Sequence, residues 1–389
     1  MKKINLVNDT IDKNDINALI KWLKKTPRLT KGELTLEFEK KWSEWLGCKY
    51  SLFVNSGSSA NLIMLYALKC RGKLKSNKII VPAVSWSTTV SPVIQFGFEP
   101  VFCECDKDTL GLDPEHLKDL ICIHEPCAVI VVHALGIPAK MKEIKSLCKK
   151  NKVVLLEDSC ECVGSLYRGQ QTGTFGLMST FSFYFGHLIS TIEGGMVCTN
   201  DKELYNILLM LRSHGWDRDT NIETQTKLRK KHNVSEFKAL YTFYYPSFNL
   251  RATDLQAFIG LKQMEKIDDI CALRYANFIQ YDKCIKNDYW KIKIDYDNLE
   301  VNFAYPIIHP KRDEISKVLF EAGIENRPLV CGNMERQPFC KQYADPTYTL
   351  DFANIVDDYG MYLPNNPGLG EKDIERICSI VNGVINDDK

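Results

Sequence analysis

A chain of 389 residues with a formal net charge of +1 exceeds the usual size of one domain, so a large and a small domain are expected. The balanced charge gives no general field for nucleic acid, while leaving room for a local basic pocket. The opening MKKINLVNDTIDKND carries two lysines with no apolar run behind them, and no segment approaches the roughly 20 apolar residues of a membrane span. The expectation is a cytoplasmic protein without a membrane or nucleic-acid partner.

Fifteen cysteines are scattered through otherwise apolar stretches. A chain this long needs no disulfide staples, so reduced, mostly buried thiols are expected. Cys103/Cys105 and Cys160/Cys162 are spaced C-x-C, which on a strand puts both sulfurs on one face. Zinc sites use wider loops, so no metal is expected.

In chain order, Ile16, Leu19, Ile20 and Leu23 follow the i, i+3, i+4, i+7 spacing of an amphipathic helix that Pro27 ends. After the loop TPRLTKGE, a second helix carries Leu34, Phe38, Trp42 and Trp45 and stops at Gly47. SLFVNSGSSANLIMLYAL reads as a strand, a Gly-Ser turn and a helix. Free backbone N–H groups and the helix dipole make such an N-terminus an anion seat. Gly57, Ser58 and Ser59 are therefore a candidate phosphate cup, with plain helix capping as the alternative. KIIVPAVSW then presents Trp86 just past the carboxyl end of a strand.

PVFCECD, CAVIVVHALG and KVVLLEDS are further strands separated by helix-length stretches. Alternating strands and helices, with strands apolar on both faces, predict an α/β fold with a mostly parallel sheet. Ligands of such sheets sit beyond the carboxyl ends of the strands. The last of these strands ends in Glu157-Asp158, with Glu161 three residues on. Phe181 to Val197, FSFYFGHLISTIEGGMV, reads as a serine-bearing strand end, a short turn, and a Gly-Gly hairpin into another strand. A helix from Lys202 to Arg212 leads to SHGWDRD, and the lysine-rich stretch through Lys238 reads as a surface insertion. FYYPSFNLRATDLQAFIGLKQMEKI follows, then a long helix, the strand VNFAYPII, the helix ISKVLFEAG and the loop ENRPLVCGNMERQP.

These elements, in this order and over nearly the whole chain, resemble the sugar aminotransferase family of pyridoxal-phosphate enzymes, the DegT/DnrJ/EryC1 group. The resemblance implies the fold type I of such enzymes, aspartate aminotransferase-like: a large domain on a mostly parallel, seven-stranded type of sheet and a smaller C-terminal α/β domain. The expected division is 1–250, large and cofactor-binding, and 251–389. It also implies roles for single residues. Asp158 would keep the pyridine nitrogen protonated, Trp86 would stack on the ring, Ser182 would contact the cofactor, and Glu161 would orient the cofactor or a water. Asn249 would reach the phosphate held by a partner subunit, which implies a homodimer with shared active sites. Arg28, with Lys31 in a loop like the family's R-x-x-x-G, and His214, Arg218 and Arg327 would contact substrate. An ordinary solvated loop explains Arg28, His214 and Arg218 equally simply.

One departure falls on the chemistry. The family carries its cofactor lysine before Glu-Gly-Gly, and here His187 stands there, with no lysine between Lys152 and Lys202. Lysine ties the cofactor down covalently and later displaces the product amine. An imidazole moves protons but cannot form that link. The substitution points away from amine transfer and towards elimination. FYFGH…STIEGG with Asp158, Glu161 and SHGW is most similar to the branch of GDP-4-keto-6-deoxy-sugar 3-dehydratases. That branch implies pyridoxal or pyridoxamine phosphate held without a covalent bond, L-glutamate as amino donor, and a GDP-linked hexose or heptose destined for surface polysaccharide. A second histidine-bearing branch holds an iron–sulfur cluster on cysteines after the hairpin helix. Thr199 to Ile270 contains no cysteine, so no cluster is expected. Two rivals stay open at this point: a sugar aminotransferase using another lysine, and a homologue that only binds nucleotide sugar.

Overall fold

The computed structural model describes residues 3–72, 74–344 and 348–386. Its centre is a seven-stranded sheet of β1 (Tyr50–Val54), β2 (Lys78–Pro82), β3 (Glu99–Cys103), β4 (Ala128–Val132), β5 (Val154–Asp158), β8 (Met178–Ser182) and β9 (Gly195–Thr199), in the order β1-β9-β8-β5-β4-β2-β3. The short β6 (Leu166–Tyr167) and β7 (Gln170–Gln171) form a separate ladder. Every strand pair from β8 to β3 is parallel, and only β9 runs against its two neighbours. β4 is buried at all five positions, as a parallel strand covered on both faces must be. The expected α/β architecture is present, and the carboxyl ends of β1, β2, β4, β5 and β8 open on one side of the sheet.

Helices follow where the apolar spacing puts them. α1 spans Lys13–Leu23, α2 Glu33–Leu46, α3 Gly57–Arg71 and α4 Ser87–Gln95. α2 buries Phe38 and Trp42 against Phe53, Phe181 and Phe183, with ring centroids 4.8–5.4 Å apart for four of these pairs. Gly47 ends it at φ 82, a left-handed conformation that glycine adopts without a Cβ penalty. α1 differs from expectation in burial. Ile16, Ile20 and Leu23 stay 36–47% exposed, so its apolar stripe faces out of the chain, while Asp15 and Trp22 tie the helix down through Lys266 and Phe258.

The polar stretch after SHGWDRD forms the helix Ile222–Lys231, which buries no residue. A smaller antiparallel sheet, β10 (Ala304–Ile308), β12 (Gly360–Pro364) and β11 (Arg327–Pro328) in the order β10-β12-β11, has its own core. There Phe278 and Tyr281 of the long helix Ile267–Cys284 meet Ile307, Met361 and Ile377.

All 15 cysteines are free thiols, nine of them buried. Cys103 and Cys105 do not share a face: β3 ends at Cys103, the chain turns, and the two sulfurs enter different cores. Among the described residues no helix is long and apolar enough to cross a membrane.

Candidate active site

The cavity at the strand ends has a volume of about 240 Å³ and is lined by residues from both sheets and from the start of the chain. Its floor is Asp158, the last residue of β5, which is 5% exposed. Alternation along the strand separates the two neighbouring carboxylates. Glu157 points to the other face, where it accepts N–H bonds from Gly173, Phe175 and Gly176 and pairs with His133 at 3.2 Å. That fixes a turn. Asp158 points into the cavity, with Oδ2 accepting from Asn61 Nδ2 and Thr89 Oγ1, both at 2.7 Å. Asn61 Oδ1 in turn accepts from Thr180 Oγ1 at 2.6 Å. Oδ1 of Asp158 accepts a longer bond, 3.2 Å, from the Cys160 N–H, which leaves it room to accept from a ligand.

The N-terminus of α3 forms one wall. Ser56 caps it by accepting the Ser59 N–H at 3.0 Å, and the N–H groups of Gly57 and Ser58 have no intrahelical acceptor. Gly57 and Ser58 line the cavity, whereas Ser59 does not. A Cβ on Gly57 would stand 2.6 Å from the Cβ of Ser182, and one on Gly195 would stand 2.2 Å from the Ser56 carbonyl oxygen. The second glycine of Glu-Gly-Gly is therefore required by how closely β9 packs under this helix start. Trp86 precedes α4 and is 54% exposed on the rim, so its indole face is available for stacking.

Residues 183–194 close a loop through bonds from Phe183 N–H to Gly194 and from Thr191 N–H to Phe183, each 2.9 Å. His187 sits at its first turn, where its N–H donates to Tyr184 at 2.8 Å. The half-buried ring packs 5.3 Å from that of Phe303, and Nδ1 is buried without a hydrogen-bond partner. Burial, with the Arg274 guanidinium second, pushes the imidazole down to about 4. Burial pushes Glu161 up to about 7, against a 2.8 Å bond from the Leu135 N–H, and nearby Asp158 adds to the rise. The two titratable groups beside Asp158 are thus driven in opposite directions, an arrangement suited to moving protons near neutrality.

The cavity gathers Gly57, Ser58, Trp86, Asp158, Glu161, Ser182 and His187. Arg28 is exposed, and Arg327 lies exposed on β11 opposite Tyr362, a cavity residue. His214 packs on Trp216, Arg218 stacks over the same indole at 4.1 Å, and Lys31 pairs with Asp219 at 3.2 Å. Asn249 is exposed and bridges Ser213 through its backbone. None of these six lines the cavity of a single chain.

Sequence reasoning missed Asn61 and Thr89, which hold Asp158, and Leu6, Val7, Phe303 and Tyr362, which close the cavity. A signal existed for Asn61, a polar residue one helical turn after Gly57 inside an apolar run. The contacts of Leu6 and Val7 depend on Asn366, whose Nδ2 donates to the Asn5 and Leu6 carbonyls, and carry no local signature.

These features fit pyridoxal phosphate: an open helix N-terminus for the phosphate, a free carboxylate lone pair for the ring nitrogen, and an exposed indole for the ring face. Among the described residues, no lysine lines the cavity, so the chain offers no amine there to tie the cofactor down.

The sequence profile of the DegT/DnrJ/EryC1/StrS aminotransferase family matches residues 9–382. GDP-4-keto-6-deoxy-D-mannose 3-dehydratase from Yersinia pseudotuberculosis is 35% identical over 372 residues, which cover 93% of each chain. The solved E. coli GDP-4-keto-6-deoxy-D-mannose-3-dehydratase with bound hydrated PLP is similar at a TM-score of 0.87 and 31% identity, covering 98% of this chain and 100% of that one. A GDP-4-keto-6-deoxymannose-3-dehydratase with a trapped PLP-glutamate geminal diamine is similar at 0.87 and 32%, covering 97% and 100%. The chain belongs to the DegT/DnrJ/EryC1/StrS aminotransferase family.

Proposed function

We propose that this chain is a pyridoxal-phosphate-dependent 3-dehydratase that removes the C-3 hydroxyl of a GDP-linked 4-keto-6-deoxy sugar. L-glutamate supplies the amino group, ammonia is released, and the product enters dideoxysugar synthesis for a surface polysaccharide in the cytoplasm. The observation that carries this reading is His187 in the wall of a cavity lined, among the described residues, by no lysine. The likeness to 3-dehydratases solved with hydrated PLP and with a PLP-glutamate adduct supports it.

When bound, the cofactor supplies an electron sink for charge developing on the adjoining carbon. The N–H groups of Gly57 and Ser58 would hold its phosphate, Asp158 Oδ1 its ring nitrogen proton, and Trp86 one ring face, with Ser182 and Glu161 beside it. His187 does the proton work. Held near 4, its ring is neutral across the physiological range and ready to accept a proton. Once protonated it is a strong acid, placed to donate to the 3-hydroxyl, a poor leaving group. Glu161, pushed up to about 7, exchanges a proton readily near neutrality and is suited to holding a water. Lys, at the position of His187, would instead retain the cofactor and favour amine exchange.

The test is direct. Purified protein given pyridoxal phosphate, L-glutamate and GDP-4-keto-6-deoxymannose should release one ammonia per sugar and form a 3-deoxy-4-keto product. A 4-amino sugar formed without ammonia would overturn the reading in favour of amine transfer. A GDP-heptose that reacts faster would move the substrate within the class.

The site is further proposed to be completed in a homodimer, with Asn249 of each chain at the phosphate held by the other. Two observations support this. The cavity of one chain is lined, among the described residues, by no lysine or arginine, although it must meet a phosphate and a diphosphate. The stripe of Ile16, Ile20 and Leu23 is uncovered. Asn249→Ala should weaken cofactor binding, and His187→Ala should abolish turnover. Mixed dimers of the two then carry one site with both lesions and one with neither, so mixing should recover activity up to about one intact site of two. With exchange verified and both parents impaired, absence of recovery would refute the shared site.

A further inference from the structure

The long helix Ile267–Cys284 buries Ile267, Ile270, Cys271, Phe278 and Tyr281 on one stripe, and Arg274 falls on that same stripe. Its side chain is 1% exposed. Among the described residues no carboxylate pairs with it. The guanidinium instead donates to three backbone carbonyls: Phe303 at 2.9 Å, His187 at 3.3 Å, and Asn365. Nε is buried and unpartnered. Burial lowers the guanidinium to about 10, which leaves it charged at neutral pH. A buried cation without a counter-ion is costly, and its attraction to neutral carbonyls only partly offsets the desolvation. A fold that needed only to fill this volume would be better served by methionine or leucine.

The three carbonyls explain what the charge is for. His187 stands on the catalytic loop, Phe303 lies just before β10, and Asn365 follows β12. Two of the three, His187 and Phe303, line the cavity, and their rings pack on each other. A planar fork can hold several carbonyls in fixed relation, where an ammonium is a point donor. From this geometry we infer that Arg274 is the positioning residue of His187: it fastens the loop's turn to the smaller sheet through the His187 carbonyl and places a positive charge beside the imidazole. The inference rests on the dehydratase reading only for its effect on turnover.

Other groups around the imidazole must be set against this. The Cys160 carbonyl favours the protonated ring, and Asp158, Glu161 and Tyr184 line the same cavity. Burial favours the neutral ring whatever stands at 274. Loss of the charge should therefore raise the imidazole part of the way towards its ordinary value, not all of it. The sign is fixed: removing a nearby cation makes protonation easier.

The experiment uses cofactor-free protein, so it does not depend on the reaction. His187 is followed by NMR in histidine-labelled protein, its signal assigned through His187→Asn. In Arg274→Gln the titration midpoint should rise by about 0.5–1 pH unit. Arg274→Lys, which keeps the charge, should keep the low midpoint. With cofactor added, both variants should lose kcat by roughly 10-fold or more, by analogy with misplaced catalytic groups, while cofactor affinity stays unchanged because Arg274 touches nothing at the phosphate cup. An unmoved midpoint in folded Arg274→Gln would overturn the inference, leaving Arg274 a structural staple. If Arg274→Gln does not fold, Arg274→Lys decides alone. Lowered kcat at unchanged cofactor affinity sustains the inference, and wild-type kcat overturns it. If neither wild type nor variants dehydrate any sugar while the midpoint still shifts, the dehydratase reading fails and the positioning of His187 stands.

Discussion

His187→Lys is expected to abolish dehydration, with a loss of at least about 10²–10⁴-fold, and to convert the protein into one that holds its cofactor covalently. Both halves follow from the cavity. The lysine would be the only amine among the described residues lining it, and it would project from the turn that Arg274 fastens through the residue-187 carbonyl. Burial and the Arg274 cation would both favour the neutral amine, the nucleophilic form. The covalent link should absorb in the visible, be trapped by borohydride, and appear in the mass of the reduced protein, whereas the wild-type protein should release its cofactor on denaturation. Dehydration by the variant at the wild-type rate would remove His187 from the role of base and with it the central claim. Weak residual turnover would not, since a longer side chain with a proton to move can partly substitute.

The fold was legible because its signals are local and repeated. From β1 to β4 each core strand is a short apolar run followed by a helix, and β5, the next, ends on its carboxylate. The cavity was legible in the part that strand ends build: Asp158, Ser182, Trp86, Gly57 and His187 all lie at or just beyond a strand or open a helix.

What escaped comes from distance or from disguise. Leu6 and Val7 precede the first helix and reach the cavity only because Asn366 and Glu325, more than 300 residues on, hold the segment. Tyr362 arrives from β12 of the smaller sheet and Phe303 from just before its β10. Arg274 was not singled out at all, although it falls on the same helical stripe as Ile270, Cys271 and Phe278. The apolar stripe of α1 was read correctly as a helix but not as a face left uncovered in one chain. Periodicity reports which residues are apolar together, not whether the same chain covers them.

Asp158→Asn is the second large effect, and the hydrogen bonds around the carboxylate fix how it should act. Asn61 Nδ2 and Thr89 Oγ1 both donate to Oδ2, at 2.7 Å each. Thr180 Oγ1 donates to the Asn61 oxygen at 2.6 Å, which favours the amide orientation that turns its N–H towards residue 158. An asparagine at 158 must therefore put its own oxygen towards these two donors, which keeps the network and the fold. Its NH₂ then stands where Oδ1 stood, facing the cavity and the Cys160 N–H. A carboxylate oxygen there would hold a proton on the ring nitrogen, whereas an amide N–H can only donate to an unprotonated one, so the ring loses the charge that makes it an electron sink. Turnover should fall by about 10²–10⁴-fold, the scale on which removing one electrostatic or acid–base partner acts. Thermal stability should change little, and cofactor should still bind through the helix N-terminus and the indole. Asp158→Glu should fail differently: the extra methylene cannot reach both Asn61 and Thr89 from a well-packed floor, so stability and cofactor affinity should drop together. Near-normal turnover of Asp158→Asn with tight cofactor would place the proton on the ring by another group, and Glu161, raised to about 7 beside it, would be the one to replace next.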